Sequence, residues 1–324
     1  MKIKYIALKE PISMASIIPF TFLFLLPLLG KAQADSASRS ILKNSFFSSV
    51  IKNLELRQSF GSSGTRNEPV LFQFTLPKGE KSSYLIDGGV GIPFANGKLM
   101  KGLNIVGKLI GEYHRNTLID DEQHTWQTGF SSTIRTNPHE KGNTFTQLFL
   151  TPTIKYSKDI IEQVNSFVFT MDVVPYRSST KGINLNTYTY SKSKGIIHLV
   201  SVLPGFELQN NFASEGKSSN GTILRPTVKS QYNIAGNKKR TPSSLMNEPV
   251  KTWEVSIDYA IRYAVVNSTL TGEEFSNLLT TGFNYYLLSQ PVKIAFGVSF
   301  NYGSDPLQGL KKQQYWLATL SIQK

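Results

Sequence analysis

The sequence predicts an all-β chain whose antiparallel strands close into a membrane-spanning barrel of about twelve strands, behind a short N-terminal arm. Fourteen is the alternative count. Three observations predict this. Apolar and polar residues alternate with period two over most of the chain from residue 68 onward. Many of the alternating runs reach ten residues or more, where strands in water-soluble sheets usually hold five or six. The N-terminus reads as an export signal, and no later run approaches 18 apolar residues.

The clearest alternation lies at residues 292–303. Val292, Ile294, Phe296, Val298, Phe300 and Tyr302 interleave with Lys293, Ala295, Gly297, Ser299, Asn301 and Gly303. Successive side chains of a strand point to opposite faces, so one face is wholly apolar and the other small or polar. A water-soluble sheet would turn the apolar face to a core, whereas a membrane barrel would turn it to lipid.

The N-terminus sets the compartment. Lys2, Lys4 and Lys9 precede an apolar run from Ile17 to Leu29, and Ala32-Gln33-Ala34 forms a small-residue cleavage site. The run is short for a membrane anchor and is broken by Pro19 and Pro27. Residues 1–34 are therefore expected to be a cleaved signal peptide. The chain has no cysteine, so disulfides and a lipid anchor on a mature N-terminal cysteine are excluded. The formal net charge is +13, of which Lys2, Lys4, Lys9 and Lys31 against Glu10 lie in the signal. An exported basic protein more often meets anionic lipid than nucleic acid. Without a hydrophobic helix, it can cross a membrane only as a closed barrel.

Residues 35–67 are the least regular. Ile41, Phe46, Phe47, Val50, Ile51 and Leu54 fit one amphipathic helix, and Gly61-Ser-Ser-Gly-Thr65 a flexible break. This arm either lies outside the barrel or plugs it. From 68 to 324 the strands follow in series. Val70–Leu76, Tyr84–Phe94, Leu103–His114, Trp126–Arg135, Leu148–Tyr156 and Phe167–Val173 form the first half. Val200–Gln209, Leu224–Ile234, Trp253–Val265, Leu279–Leu287, the stretch at 292–303 and Trp316–Ile322 form the second. Ile183–Tyr190 also alternates, and 45–58 could add another strand. Tyr84, Phe94, Tyr113, Trp126, Tyr156, Trp253 and Trp316 sit near strand ends, as interfacial girdles would require.

In signal, alternation and strand length, residues 68–324 resemble the outer-membrane β-barrels of Gram-negative bacteria. The resemblance is to the class and to no particular family. It implies residence in the outer membrane, contact with its lipid and lipopolysaccharide, and delivery by barrel-assembly machinery. Members of the class usually end in an aromatic residue, whereas this chain ends Ser321-Ile-Gln-Lys324, with Tyr315 and Trp316 nearest. With both termini periplasmic, the connections at 177–195 and 235–251 fall on the side where turns are normally short.

The candidate chemistry is thin. His114 and His124 flank the 117–122 hairpin, but strand phase puts His114 inward and His124 outward, so no metal site is expected there. His139 and His198 have no clustered ligands. Asp120, Asp121 and Glu122 beside His124 could activate water at a barrel rim, although a solvated turn explains them more simply. Gly91–Leu99 lacks the spacing and the hydroxyl of a phosphate-binding loop. The basic run Asn237–Arg240 reads as a solvated loop. No cofactor and no nucleic-acid partner are implied.

The informative polar set is the one phased inward, expected to line a lumen. It comprises Lys108, Lys155, Arg225, Lys229, Arg262 and Lys293 against Asp87, Glu112, Asp172, Glu207, Glu254 and Asp258. A balanced set suits internal pairing better than charge selection, and independently hydrated side chains in a water-filled lumen are the alternative. The sequence thus points to a narrow or gated channel or transporter for an unknown small solute. A structural or adhesive surface protein and a rim-located hydrolase are the other classes.

Overall fold

Alternation of apolar and polar residues makes strands here. The computed structural model describes residues 54–61, 70–75, 83–100, 103–117, 122–136, 147–177, 184–191, 195–213, 220–237, 250–269, 274–288, 293–308 and 310–323. The signal, most of the arm and the tip residues Asp120 and Asp121 lie outside them, as do His139 and Lys238–Arg240.

The strands are β1 (Glu55–Arg57), β2 (Val70–Thr75), β3 (Ser83–Met100), β4 (Leu103–Asn116), β5 (Gln123–Thr136), β6 (Gln147–Asp159), β7 (Val164–Tyr176) and β8 (Thr187–Ser191). They continue as β9 (Ile196–Ala213), β10 (Gly221–Asn237), β11 (Lys251–Tyr263), β12 (Val266–Asn267), β13 (Phe275–Leu288), β14 (Lys293–Asp305) and β15 (Leu310–Gln323). All pair antiparallel in one sheet. The hydrogen-bonded path holds fourteen of them, the larger expected count, with β1 added against β3.

Two pairings curl this path on itself. β9 pairs β10 from Gly221↔Asn211 to Gly236↔Ile196, and β15 pairs β2 at Leu320↔Phe72, Ser321↔Leu71 and Ile322↔Val70. The pairings therefore run continuously through β2–β7, β9–β11 and β13–β15, a ring of twelve strands. β8 and β12 are short flanking pieces on β9 and β10. Within the 177–195 connection, Arg177 bridges Leu185, β8 follows, and Asn186 Nδ2 donates to both Pro175 and Val202 carbonyls, at 2.7 and 3.2 Å.

The expected amphipathic helix from Ile41 to Leu54 lies outside the described residues except at Leu54, and Glu55–Arg57 form a strand inside the stretch 45–58 that could add one. One expectation is corrected: the last strand begins at Leu310 and not near Trp316.

Burial follows strand phase, with the usual polarity reversed. Glu112 and Glu207 are 1% exposed and Arg262 2%, while Phe296 is 55%, Phe94 60% and Trp316 70% exposed. The opening stretch of alternation keeps its phase, with Ala295 buried and Phe296, Val298 and Tyr302 exposed. Val90 departs from the outward pattern and is buried beside Leu56, its partner across β1–β3.

Candidate functional site: a polar interior crossed by the chain's own N-terminal segment

Residues 54–61 occupy the interior. β1 pairs the edge of β3 at Gly89–Gly91, and the chain then leaves the wall. Gln58 Nε2 donates to Asp87 Oδ2, Ser59 Oγ to Glu112 Oε2 at 2.9 Å, and the Phe60 amide to Glu112 Oε1 at 2.9 Å. Lys229 reaches in from β10, six places around the ring from β3, and donates to the Gly61 carbonyl at 3.2 Å. The segment Gln58–Gly61 therefore bridges opposite walls.

Its seat is built from small residues. An ideal β-carbon on Gly91 would lie 2.5 Å from the Phe60 ring, and one on Gly89 3.1 Å from it. Two glycines one strand period apart leave a recess, and the ring fills it. Arg57 covers the ring's face, its guanidinium carbon 4.8 Å from the centroid.

Glu112 is the hub. Besides the two bonds from the segment, it holds Lys155 Nζ at 2.8 Å and His114 Nε2 at 3.3 Å. Lys155 also donates to Gln127 Oε1 at 3.0 Å, and His114 Nδ1 is hydrogen-bonded to Asp87. A buried carboxylate with this many donors keeps its charge at tolerable cost, whereas loss of any one partner would strand the rest.

The other phased residues are placed as follows. Lys229 pairs with Asp172 at 2.8 Å, and Arg262 with Glu207 at 2.9 Å. Three of the expected six-against-six charges thus match one another, counting Lys155 with Glu112. The rest find partners the pattern did not name. Lys108 meets Glu55, Glu254 meets Lys251 at 2.8 Å and accepts from Tyr286 at 2.6 Å, Arg225 donates to Gln209 at 2.9 Å, and Asp258 accepts from Gln231 at 2.5 Å. Lys293 opens β14, and its side chain lies outside the described part.

A second inward contact lies at the end of the sheet where β3 and β5 begin and β14 ends. At Gly303, φ is 123°, and a β-carbon would stand 1.9 Å from the Asn277 carbonyl, so only glycine fits. The β14–β15 register shifts between Gly303 and Asp305. The turn after it folds inward: Gln127 Nε2 donates to the Leu307 carbonyl at 2.6 Å, and Gln123 Nε2 to that of Gln308. Asp305 steadies the turn, accepting from the Leu307 amide and from Arg262 Nη2, both at 3.2 Å.

The two histidines of the 117–122 hairpin lie on opposite faces. His114 is fully buried, and His124 packs edge-on against outward Tyr113 at 5.8 Å. Glu122 is exposed, and His198 stacks on Tyr232 with a 3.2 Å hydrogen bond. The 91–99 stretch is simply part of β3. Among the described residues no cluster of three metal-ligating side chains occurs.

No family model matches this chain, and no curated protein or solved structure is matched by it.

Proposed function

We propose that this protein is an exported outer-membrane barrel that acts as a gated channel for small polar solutes, held closed by Gln58–Gly61. The observation that carries the reading is the inverted polarity, with ionic side chains inside and aromatic ones outside. On β11 the outward residues run from Trp253 to Tyr263. Ten steps of ~3.3 Å, tilted by ~40°, give a band ~25 Å tall, the height of the apolar belt in such barrels. The N-terminal signal expected at residues 1–34 supports the location.

The way the segment is held supports gating. Apart from the buried Phe60 ring in its glycine recess, its contacts are hydrogen bonds, which water can replace on release. Among the described residues, the packed interior also keeps the Thr170, Thr227 and Ser276 hydroxyls buried without a partner. Hydration on opening would satisfy them, which lowers the cost of the open state.

The test is a planar bilayer. Wild-type protein should conduct rarely, and a variant lacking residues 54–61 should give small, weakly selective steps. Silence from both would favour a structural role. A wild-type protein that stays soluble without detergent and shows no heat-modifiable gel mobility would end the membrane reading.

A further inference from the structure

The two interior closures share one chain of hydrogen bonds. The carbonyl of Leu307 accepts from Gln127 Nε2 at 2.6 Å, and Gln127 Oε1 accepts from Lys155 Nζ at 3.0 Å. Lys155 in turn holds Glu112 Oε1 at 2.8 Å and Oε2 at 3.0 Å. Glu112 accepts from Ser59 and Phe60 of the crossing segment. Gln127, Lys155 and Glu112 are all buried and stand on the adjacent strands β5, β6 and β4.

We infer that Gln127, acting through Lys155 and Glu112, couples the Asp305–Gln308 turn to the Gln58–Gly61 segment, so that both closures open in one concerted step. The chemistry of the relay gives the sign. A primary amide has one donor end and one acceptor end, and an ammonium has three donors. Here the three donors of Lys155 serve Glu112 Oε1, Glu112 Oε2 and Gln127 Oε1. Departure of the segment removes two donors from Glu112 and draws the ammonium toward that carboxylate. Gln127 then loses the contact that orients its amide, and with it the grip on Leu307. Each closure thus strengthens the other, which is positive coupling.

Concerted opening fits a channel, because an alternating-access carrier needs one closure tight while the other is open. That last step rests on the channel reading above, but the coupling itself does not. Gln127 is a positioning residue. The second grip on the turn, from Gln123 to Gln308, lies outside the relay, so cutting the relay loosens the turn without freeing it.

The experiment locks one closure and reads the other. Leu56 and Val90 oppose each other directly across β1–β3, and the chain has no cysteine to interfere. In Leu56→Cys/Val90→Cys protein in detergent micelles, amide exchange is followed over residues 303–312 in the oxidised and reduced forms. Oxidation should slow exchange there by about tenfold. Adding Gln127→Glu keeps an acceptor for Lys155 but removes the donor to Leu307, and should abolish the effect of oxidation on the turn. Equal exchange in the oxidised and reduced forms with Gln127 intact would overturn the coupling, and that arm needs no substitution in the relay. Because exchange is read without ion flow, a silent bilayer would count against the channel and leave this result standing.

Discussion

The Phe60 ring fills the space over Gly91, coming within 2.5 Å of where a β-carbon on that glycine would stand. The ring and the backbone of β3 therefore interlock, and the crossing segment owes its position to a missing methyl group. Gly91→Ala should displace Phe60 at a cost of about 1–3 kcal/mol, the usual range for overpacking. The expected outcome in a bilayer is a higher open fraction than wild type. Phe60→Ala removes the clash, so Gly91→Ala should add little on top of Phe60→Ala. Additive effects of the two changes would show that the ring does not sit in this recess.

Glu112 offers a test of the interior as a unit. Replacing it by Gln leaves the Lys155 ammonium without its carboxylate in a buried place, a loss of about 3–5 kcal/mol. The gel-mobility transition on heating should fall clearly. Glu112→Gln with Lys155→Met removes the stranded charge together with its partner, and should melt above the single Glu112→Gln variant. A double variant no better than the single one would mean that the pair is not a coupled element.

Strand phase was legible because a period of two is a local signal, and it put Glu112, Asp172, Glu207 and Arg262 on the buried face without any structure. The crossing segment was legible only as two alternatives, a plug and an added strand at 45–58, and its contacts were not legible. Leu54–Gly61 carries no long alternation, and what holds it is Glu112, more than fifty residues further along. Gly61-Ser-Ser-Gly reads locally as a break, although Gly61 is where Lys229 makes contact. The inward turn was equally hidden. Gly303-Ser-Asp-Pro is an ordinary turn composition, and only the positive φ of Gly303 and the register shift beside it aim the turn inward. The partners Glu55 and Lys251 were missed for a related reason. They flank the regular runs, where phase is not defined by neighbours on both sides.

Ile257 tests the outer face. It is exposed near the middle of β11, and arginine there should cost ~2–4 kcal/mol and impair insertion. From sequence alone, Ser256→Arg is the natural inward control and should be tolerated far better. Ser256 is in fact buried, with its hydroxyl 3.5 Å from where a β-carbon on Gly282 would stand, so an arginine there must also find room. Asp258→Asn is the cleaner control, since it keeps the side-chain volume on the inner face. Membrane insertion, read by fractionation and heat-modifiable mobility, should fail for Ile257→Arg and persist for Asp258→Asn. Equal insertion of both would reverse the assigned phase.

Arg262 holds the inward turn independently of the crossing segment. Its side chain links Glu207 on β9, at 2.9 Å, to Asp305 at the root of the inward turn, at 3.2 Å. Its bonds run to these two carboxylates, whereas Lys155 and Lys229 serve the crossing segment and its hub. Arg262→Ala leaves two buried carboxylates facing each other and should destabilise the barrel by about 3–5 kcal/mol, which would mask any effect on gating. Arg262→Met with Glu207→Gln and Asp305→Asn removes the charges together and keeps the volume, so the fold should survive. The amide that Asp305→Asn introduces retains an oxygen for the Leu307 N–H but has no cation to tie it to the wall. Exchange over residues 303–312 should therefore rise, while protection of Gly89–Gly91 under β1 falls less if the relay through Gln127 is the main link between the closures. In a bilayer this triple variant should open more often than wild type. An unchanged open fraction together with faster exchange in the turn would mean that the turn is not a closure at all, and that Gln58–Gly61 alone keeps the pathway shut.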